Sequence, residues 1–192
     1  MKAVTIVGAG ALGSHLALLA RNWDVELRVI DFDKVESKNT QSQFHSKMGL
    51  GKNKAKALQQ ALHGLFGVHI KALTTKVNQH NCGVLLSGAD LIVDCTDNYK
   101  ARDIIQEFVE EHDIPCLHGC LSADGDLARM VWTENFAPDK ENPEGDATCE
   151  DGRNVAFHAM AGAMLAQVAR KFLEEDVKQS WQVTPFTMLR LT

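Results

Sequence analysis

The sequence predicts an α/β chain on a Rossmann-like, mainly parallel sheet, with helices on both faces and an antiparallel C-terminal extension. Three observations carry this. An apolar run, Lys2–Val7, passes straight into Gly8-Ala9-Gly10-Ala11-Leu12-Gly13 and then into a helical pattern. Strand-like and helical segments alternate through the first half, as βαβ units do. In the second half strand-like runs follow one another with no helix between them, so neighbours there are expected to run antiparallel.

Taken in order, Lys2–Val7 reads as a buried first strand and residues 11–22 as the first helix. Residues 26–30 form a second strand ending at Asp31. Residues 35–50 are polar and irregular, punctuated by Gly49 and Gly51. Residues 52–66 carry Ala57, Leu58, Ala61, Leu62 and Leu65 at helical spacing. Residues 68–74 alternate as a third strand, and 91–95 form a short continuous apolar fourth. Residues 98–112 are amphipathic and helical, and 115–121 and 127–133 are two further strands. Residues 137–148 are acidic and hold Pro138, Pro143 and Gly145, the composition of a loop. Residues 151–175 read as one long alanine-rich helix, and 181–191 as a final strand or hairpin.

A chain of 192 residues suits one domain with a sizeable core. Within it, residues 1–122 are expected to form a nucleotide-binding part. Residues 123–192 would add antiparallel strands, the loop and the long helix. The formal charge of −5 offers no basic footprint, which argues against nucleic acid or an anionic membrane as partner. No apolar run approaches the roughly 20 residues that a membrane helix needs. The first residues read as a strand rather than a signal peptide, so a cytoplasmic protein is expected. The five cysteines Cys82, Cys95, Cys116, Cys120 and Cys149 include no Cys-x-x-Cys pair. Reduced thiols are expected, with neither a disulfide framework nor a structural zinc.

The glycine loop carries the first functional signal. Gly8 permits a tight turn, Gly10 lets the backbone approach a phosphate, and Gly13 lets the helix lie close to the sheet. Free N–H groups and the dipole of the helix opening at Ala11 and Leu12 favour an anion there. Asp31 lies eighteen residues beyond Gly13, at a strand end, where an acid can bond both hydroxyls of a ribose. These features alone fit NAD or ATP equally, and an NAD(P)-dependent oxidoreductase leads on them.

Three later segments shift that balance. They are Asp31-Phe32-Asp33-Lys34-Val35-Glu36-Ser37-Lys38-Asn39 continuing to Gln43, then Gly51-Lys52-Asn53-Lys54-Ala55, then Asp94-Cys95-Thr96-Asp97-Asn98. In this order they resemble the motifs of the ThiF/HesA/MoeB adenylyltransferases, relatives of the ubiquitin-activating enzymes. The resemblance covers about residues 2–175. It implies that Gly8, Gly10, Ala11, Leu12 and Gly13 cradle phosphates. Asp31 would hold the ribose, with Asp33 beside it. Asn39 and Gln43 would line the phosphate region, Lys54 would contact the phosphates, and Asp97 would bind magnesium. The implied cofactors are ATP and Mg2+. The implied activity is adenylation of a carboxylate, commonly the C-terminus of a ubiquitin-like or sulfur-carrier protein or of a peptide, and a homodimer is the implied assembly.

The chemistry asked of these residues is modest. Attack on the α-phosphate needs dispersal of charge as pyrophosphate leaves, which a lysine and a magnesium ion supply. A carboxylate is already ionised at neutral pH, so no general base is required. Plainer readings stand beside the functional ones. Lys54, with Lys52 and Lys56, could form a solvated helix face. Asp97 could cap the following helix. Arg102 could pair with Asp97, a phosphate or nothing. Cys116, His118 and Cys120 share one strand face and fit a packed core better than a soft-metal site. His15 and His158 read as packing residues. The small residues Ala159, Ala161, Gly162, Ala163 and Ala166 suit close packing on the sheet or a dimer seam.

Two departures from the pattern matter. The arginine that usually precedes the glutamine is Ser42 here, and serine cannot stabilise a phosphate as guanidinium does. The helix that often brings a second arginine ahead of the first strand has no counterpart before residue 2. Lys38, Lys52 and Arg153 are the candidate substitutes. A non-catalytic nucleotide-binding partner subunit on the same fold is the alternative these changes favour. Thr148-Cys149-Glu150 resembles the segment carrying an acyl-accepting cysteine. A helix start would activate Cys149 as a nucleophile, while Glu150 and Asp151 oppose this.

Overall fold

The computed structural model describes residues 1–137 and 152–191. Their strands form one eight-stranded sheet in the order β3-β2-β1-β4-β5-β6-β7-β8. The parallel half comprises β1 (Lys2–Val7), β2 (Val25–Ile30), β3 (Lys71–Leu73), β4 (Leu91–Asp94) and β5 (Cys116–Leu121). The antiparallel half adds β6 (Ala128–Trp132), β7 (Ser180–Thr184) and β8 (Thr187–Leu191), the last two forming a hairpin. The expected mixed sheet is what the chain forms.

Helices cover both faces of the parallel half. On one face α1 (Ala11–Leu19), α3 (Lys54–Phe66) and α6 (Val155–Glu175) pack around Leu16, Leu58, Leu117, Met130 and Leu165. On the other, α4 (Cys82–Leu86) and α5 (Tyr99–Glu111) bury Leu86, Ile105 and Phe108 against Val7, Ile30 and Ile92. A short α2 (Asn39–Ser42) and a 3-10 turn at Lys47–Gly49 occupy the polar stretch expected to be irregular.

The deviations from expectation have local causes. The third helix begins at Lys54 rather than residue 52 because Asn53 is its N-cap, accepting from Lys56 N–H at 3.1 Å. It ends where Gly67 turns left-handed at φ 69°. The first helix tightens into a 3-10 turn at Ala20–Asn22. The third strand is only three residues long and lies at the sheet edge. The five-residue α4 escapes the sequence because one turn and a half is too short for periodicity to register. The long helix is described from Val155, and the expected loop from residue 138, with Cys149, lies outside the described residues.

The small residues of α6 serve core packing. A Cβ at Gly162 would lie 2.6 Å from His15 Cβ on α1, and Ala161 and Ala169 are fully buried. His15 itself stays on α1, its Nδ1 2.7 Å from the Ala11 carbonyl. Hence α1 and α6 meet at close range, which a larger side chain at 162 would prevent.

The carboxyl ends of the three central strands are level, because Val7 pairs with both Ile30 and Asp94. β4 is fastened to β5 at this level by a buried polar pair. Asp94 Oδ2 lies 2.9 Å from His118 Nδ1, and His118 Nε2 lies 3.1 Å from Thr133 Oγ1. Asp94 Oδ1 accepts from Thr96 N–H and Oγ–H at 2.9 and 2.7 Å. Phe136 stacks on the imidazole with ring centres 3.8 Å apart. His118 is therefore a satisfied core histidine. Burial works against the Asp94 charge, but His118, Arg102 and the Thr96 amide together hold the carboxyl below its ordinary value. A depressed carboxyl contributes stability above its unfolded pKa and loses it as pH falls through the folded one. Asp94→Asn should cost about 2 kcal/mol at neutral pH, the range for a buried charged hydrogen bond. The deficit should shrink in urea titrations run below about pH 4, where the unfolded aspartate is protonated.

Candidate active site

Every chain segment that leaves the level ends of β1, β2 and β4 enters the same cleft. The gap between β1 and β4 is where the strand order reverses, and open α/β sheets bind ligands there. The cleft is lined by Gly8 and Gly10 after β1, Asp31, Phe32 and Asp33 after β2, and Lys54 at the start of α3. Cys95, Thr96, Asp97 and Asn98 after β4 and Thr75, Lys76 and Val77 after β3 complete it.

The three loop glycines have three different reasons. Gly8 adopts φ 95°, and a Cβ there would meet the Cys95 carbonyl oxygen at 2.7 Å. A Cβ on Gly13 would lie 1.9 Å from the Gly8 carbonyl oxygen and 3.2 Å from Ile6. A Cβ on Gly10 would meet no protein atom within 4 Å. Gly8 and Gly13 are therefore required by the fold, while the space beside Gly10 opens into the cleft. That is the room an approaching anion needs. Ala11 and Leu12 open α1 behind the loop with no side-chain cap on its N-terminus.

Asp31 joins the two strand ends. Its Oδ2 accepts from Ala9 N–H at 2.6 Å and its Oδ1 from Asp33 N–H at 2.8 Å. Burial pushes the carboxyl above its ordinary value, opposed by those backbone bonds and the Lys54 charge. Asn53 bonds the carbonyls of Asp31 and Asp33, at 2.7 and 3.2 Å, and in this way sets α3 against the strand end. Lys54 consequently reaches into the cleft, its Nζ 3.3 Å from Asp33 Oδ2. The solvated-face reading fails for Lys54, whose side chain is only 11% exposed. It holds for Lys52, which bonds the exposed Gln60.

Asp97 is exposed in the cleft wall and is not spent as a helix cap. That task falls to Asn98, whose side chain accepts from Ala101 N–H at 2.9 Å. The Asp97 carboxylate makes no hydrogen bond among the described residues, though the Arg102 charge acts on it, and an exposed acid of this kind fits the few protein ligands magnesium takes. Arg102 does not face the cleft. Its Nε and Nη2 donate to the Thr96 carbonyl and its Nη1 to Cys120 Sγ at 2.7 Å, so it braces the loop from behind. Cys116 is buried and Cys120 half-buried. No cluster of His, Cys, Asp or Glu suited to a metal occurs among the described residues.

Asn39 and Gln43 are buried and are not among the residues that line the cleft. The Asn39 side chain accepts from Glu36 N–H at 2.8 Å, and Gln43 Oε1 has no hydrogen-bond partner among the described residues. Ser42 is fully buried. Lys38 pairs with Glu36 at 3.5 Å. The cation that joins Lys54 in the cleft wall is Lys76, with its Nζ 5.0 Å from the centre of the Phe32 ring. Sequence reasoning missed Lys76 because it lies just past the expected third strand, in the stretch 75–90 that carries no motif. It also missed His45, a buried histidine whose Nε2 lies 2.8 Å from the Ala9 carbonyl.

Similarity to known proteins follows the same residues. A 32% identical relative over 121 residues is the SAMP-activating enzyme E1 of Haloferax volcanii, covering 62% of this chain and 45% of that enzyme. The adenylyltransferase and sulfurtransferase MOCS3 of Drosophila sechellia is 31% identical over 180 residues, 88% of this chain and 40% of its own length. The chain thus spans less than half of these curated relatives. Among solved structures, E. coli MccB with ATP superposes over 100% of this chain and 63% of its own, with TM-score 0.78 and 18% identity. E. coli TcdA with AMP does so over 91% and 87%, with TM-score 0.68 and 17% identity. At such identities the likeness is one of fold. No helix among the described residues is long and apolar enough to cross a membrane. The model of the ThiF family matches residues 2–190, and the chain belongs to that family.

Proposed function

We propose that this chain is an ATP-dependent adenylyltransferase that activates a carboxylate as its acyl-adenylate. The observation that carries the reading is the meeting of Gly10, Asp31, Lys54 and Asp97 in one cleft at the switch point. Asp31 would accept from the ribose hydroxyls, and the loop N–H groups would bind phosphate oxygens. Asp97 would hold a magnesium ion, whose chemistry is to neutralise charge on the departing pyrophosphate. Lys54 would leave Asp33 and pair with the phosphates. The acyl oxygen attacks the α-phosphorus, the bond to the pyrophosphate oxygen breaks, and no proton needs moving at this step. An NAD-dependent reaction has no use for Lys54 or Asp97.

The acyl donor in this reading is the C-terminus of a ubiquitin-like or sulfur-carrier protein or of a peptide. Likeness to the SAMP-activating enzyme E1 and to the adenylyltransferase and sulfurtransferase MOCS3 supports it. The whole of residues 1–192 would act as one adenylation unit, paired as a homodimer and working in the cytoplasm. Cys149 would accept the acyl group as a thioester, and thioester formation undiminished in Cys149→Ala would exclude it.

Ser42 favours one alternative. It is buried and brings no charge to the cleft, which suits a subunit that binds ATP without turning it over. Pyrophosphate exchange with a range of carrier C-termini separates the two readings. Exchange lost in Lys54→Ala and Asp97→Asn identifies the enzyme, whereas ATP binding without exchange identifies the subunit.

The glycines offer a sharper test. Gly10→Ala should leave the melting temperature unchanged and weaken ATP binding roughly tenfold or more, because the added methyl enters only ligand space. Gly13→Ala should destabilise the fold by about 3 kcal/mol or more, the upper end of the usual cost of overpacking, because the clashing atom is backbone. Calorimetric titration with ATP and magnesium, beside thermal unfolding, reads both. If Gly10→Ala binds ATP like the parent protein, the phosphate reading of this loop is wrong.

A further inference from the structure

We propose that His45 is a positioning residue that aims the Gly10 N–H of the glycine loop into the cleft. The inference rests on the nucleotide reading above and names a residue which that reading does not use.

The Ala9 carbonyl can only accept, so the 2.8 Å contact fixes the proton of His45 on Nε2. The remaining nitrogen, Nδ1, is buried and has no hydrogen-bond partner among the described residues. Burial, with Lys54 and His15 nearby, holds the imidazole below its ordinary pKa, opposed by the Ala9 bond, and the ring is neutral at neutral pH. The segment carrying it is tied down next door, where Phe44 N–H donates to Ser14 Oγ on α1 at 2.9 Å. His45 is thus a fixed donor.

Its effect passes through one peptide plane. In a trans peptide the C=O and the following N–H point in opposite directions. Holding the Ala9 carbonyl toward His45 therefore turns the Gly10 N–H away from it. Gly10 lies in the cleft wall, and its N–H donates to no group among the described residues. The preceding peptide is held by Asp31, which accepts the Ala9 N–H at 2.6 Å. Asp31 and His45 between them orient two successive peptides.

The test uses His45→Phe, which keeps a ring but loses the donor, and His45→Gln, whose Nε2 can donate at a similar reach. Titration with ATP and magnesium, with adenosine, and the apo amide spectrum are recorded for both. His45→Phe is expected to bind ATP roughly tenfold more weakly, the worth of one lost hydrogen bond to a charged group. Adenosine affinity should be unchanged, the Gly10 amide resonance should move, and His45→Gln should restore all three toward the parent. Equal losses for ATP and adenosine, or failure of His45→Gln to restore, would overturn the assignment in favour of a packing role. If the parent protein binds no ATP, the nucleotide reading falls on its own. The Gly10 amide then decides for His45: movement in His45→Phe reversed in His45→Gln upholds the positioning role, and no movement ends it.

Discussion

The space between the Gly8 carbonyl and the backbone of residue 13 is too small for a methyl group, and the whole carboxyl edge of the sheet is organised around that closeness. A Cβ at 13 would sit 1.9 Å from the carbonyl oxygen. With glycine there, α1 starts directly off β1 and its N-terminus lies at the strand ends. The same proximity lets α6 close over α1 through Gly162. Because Val7, Ile30 and Asp94 are in register, the loops after β2 and β4 emerge beside the α1 N-terminus. Dinucleotide-type sheets use this arrangement to bring backbone donors and acidic side chains to one place.

Polar side chains then fix the loops to one another. Asp31 ties the β2 end to the glycine loop, Asn53 ties α3 to the β2 end, and Asn98 starts α5. Asp94, His118 and Thr133 tie β4 to the antiparallel half. Each of these groups is buried or half-buried and bonded, as interior polar groups must be. Arg102 belongs with them, since it spends its guanidinium on the Thr96 carbonyl and Cys120. A charge that the sequence offers for ligand contact is used to hold backbone instead.

Much of the fold was legible because its signals are local. The glycine loop after a short apolar run and the apolar fourth strand each act within a few residues, whereas the caps fell to Asn53 and Asn98 rather than where the pattern put the helix starts. The pairing order within the sheet was legible only as a class, since register depends on contacts distant in sequence. Of the expected site residues, Gly8, Gly10, Asp31, Asp33, Lys54 and Asp97 come together in the cleft. Asn39 and Gln43 are buried away from the cleft wall, at either end of the short helix α2, which the polar composition of that segment does not announce. His45 and Lys76 carried no readable signal. Each is a single residue whose neighbour, Ala9 or Phe32, lies in a loop distant in sequence.

The cleft wall runs in sequence from Val7 to Ala101, so its described residues all come from the first part of the chain. The strands β6, β7 and β8 contribute none of them. They meet the cleft's architecture through β5 and the Asp94–His118 pair, and through the core they share with α1 and α6. Sequence change on the exposed face of the antiparallel half therefore leaves the residues that line the cleft untouched. A lineage can reshape that surface while the cleft wall stays as it is.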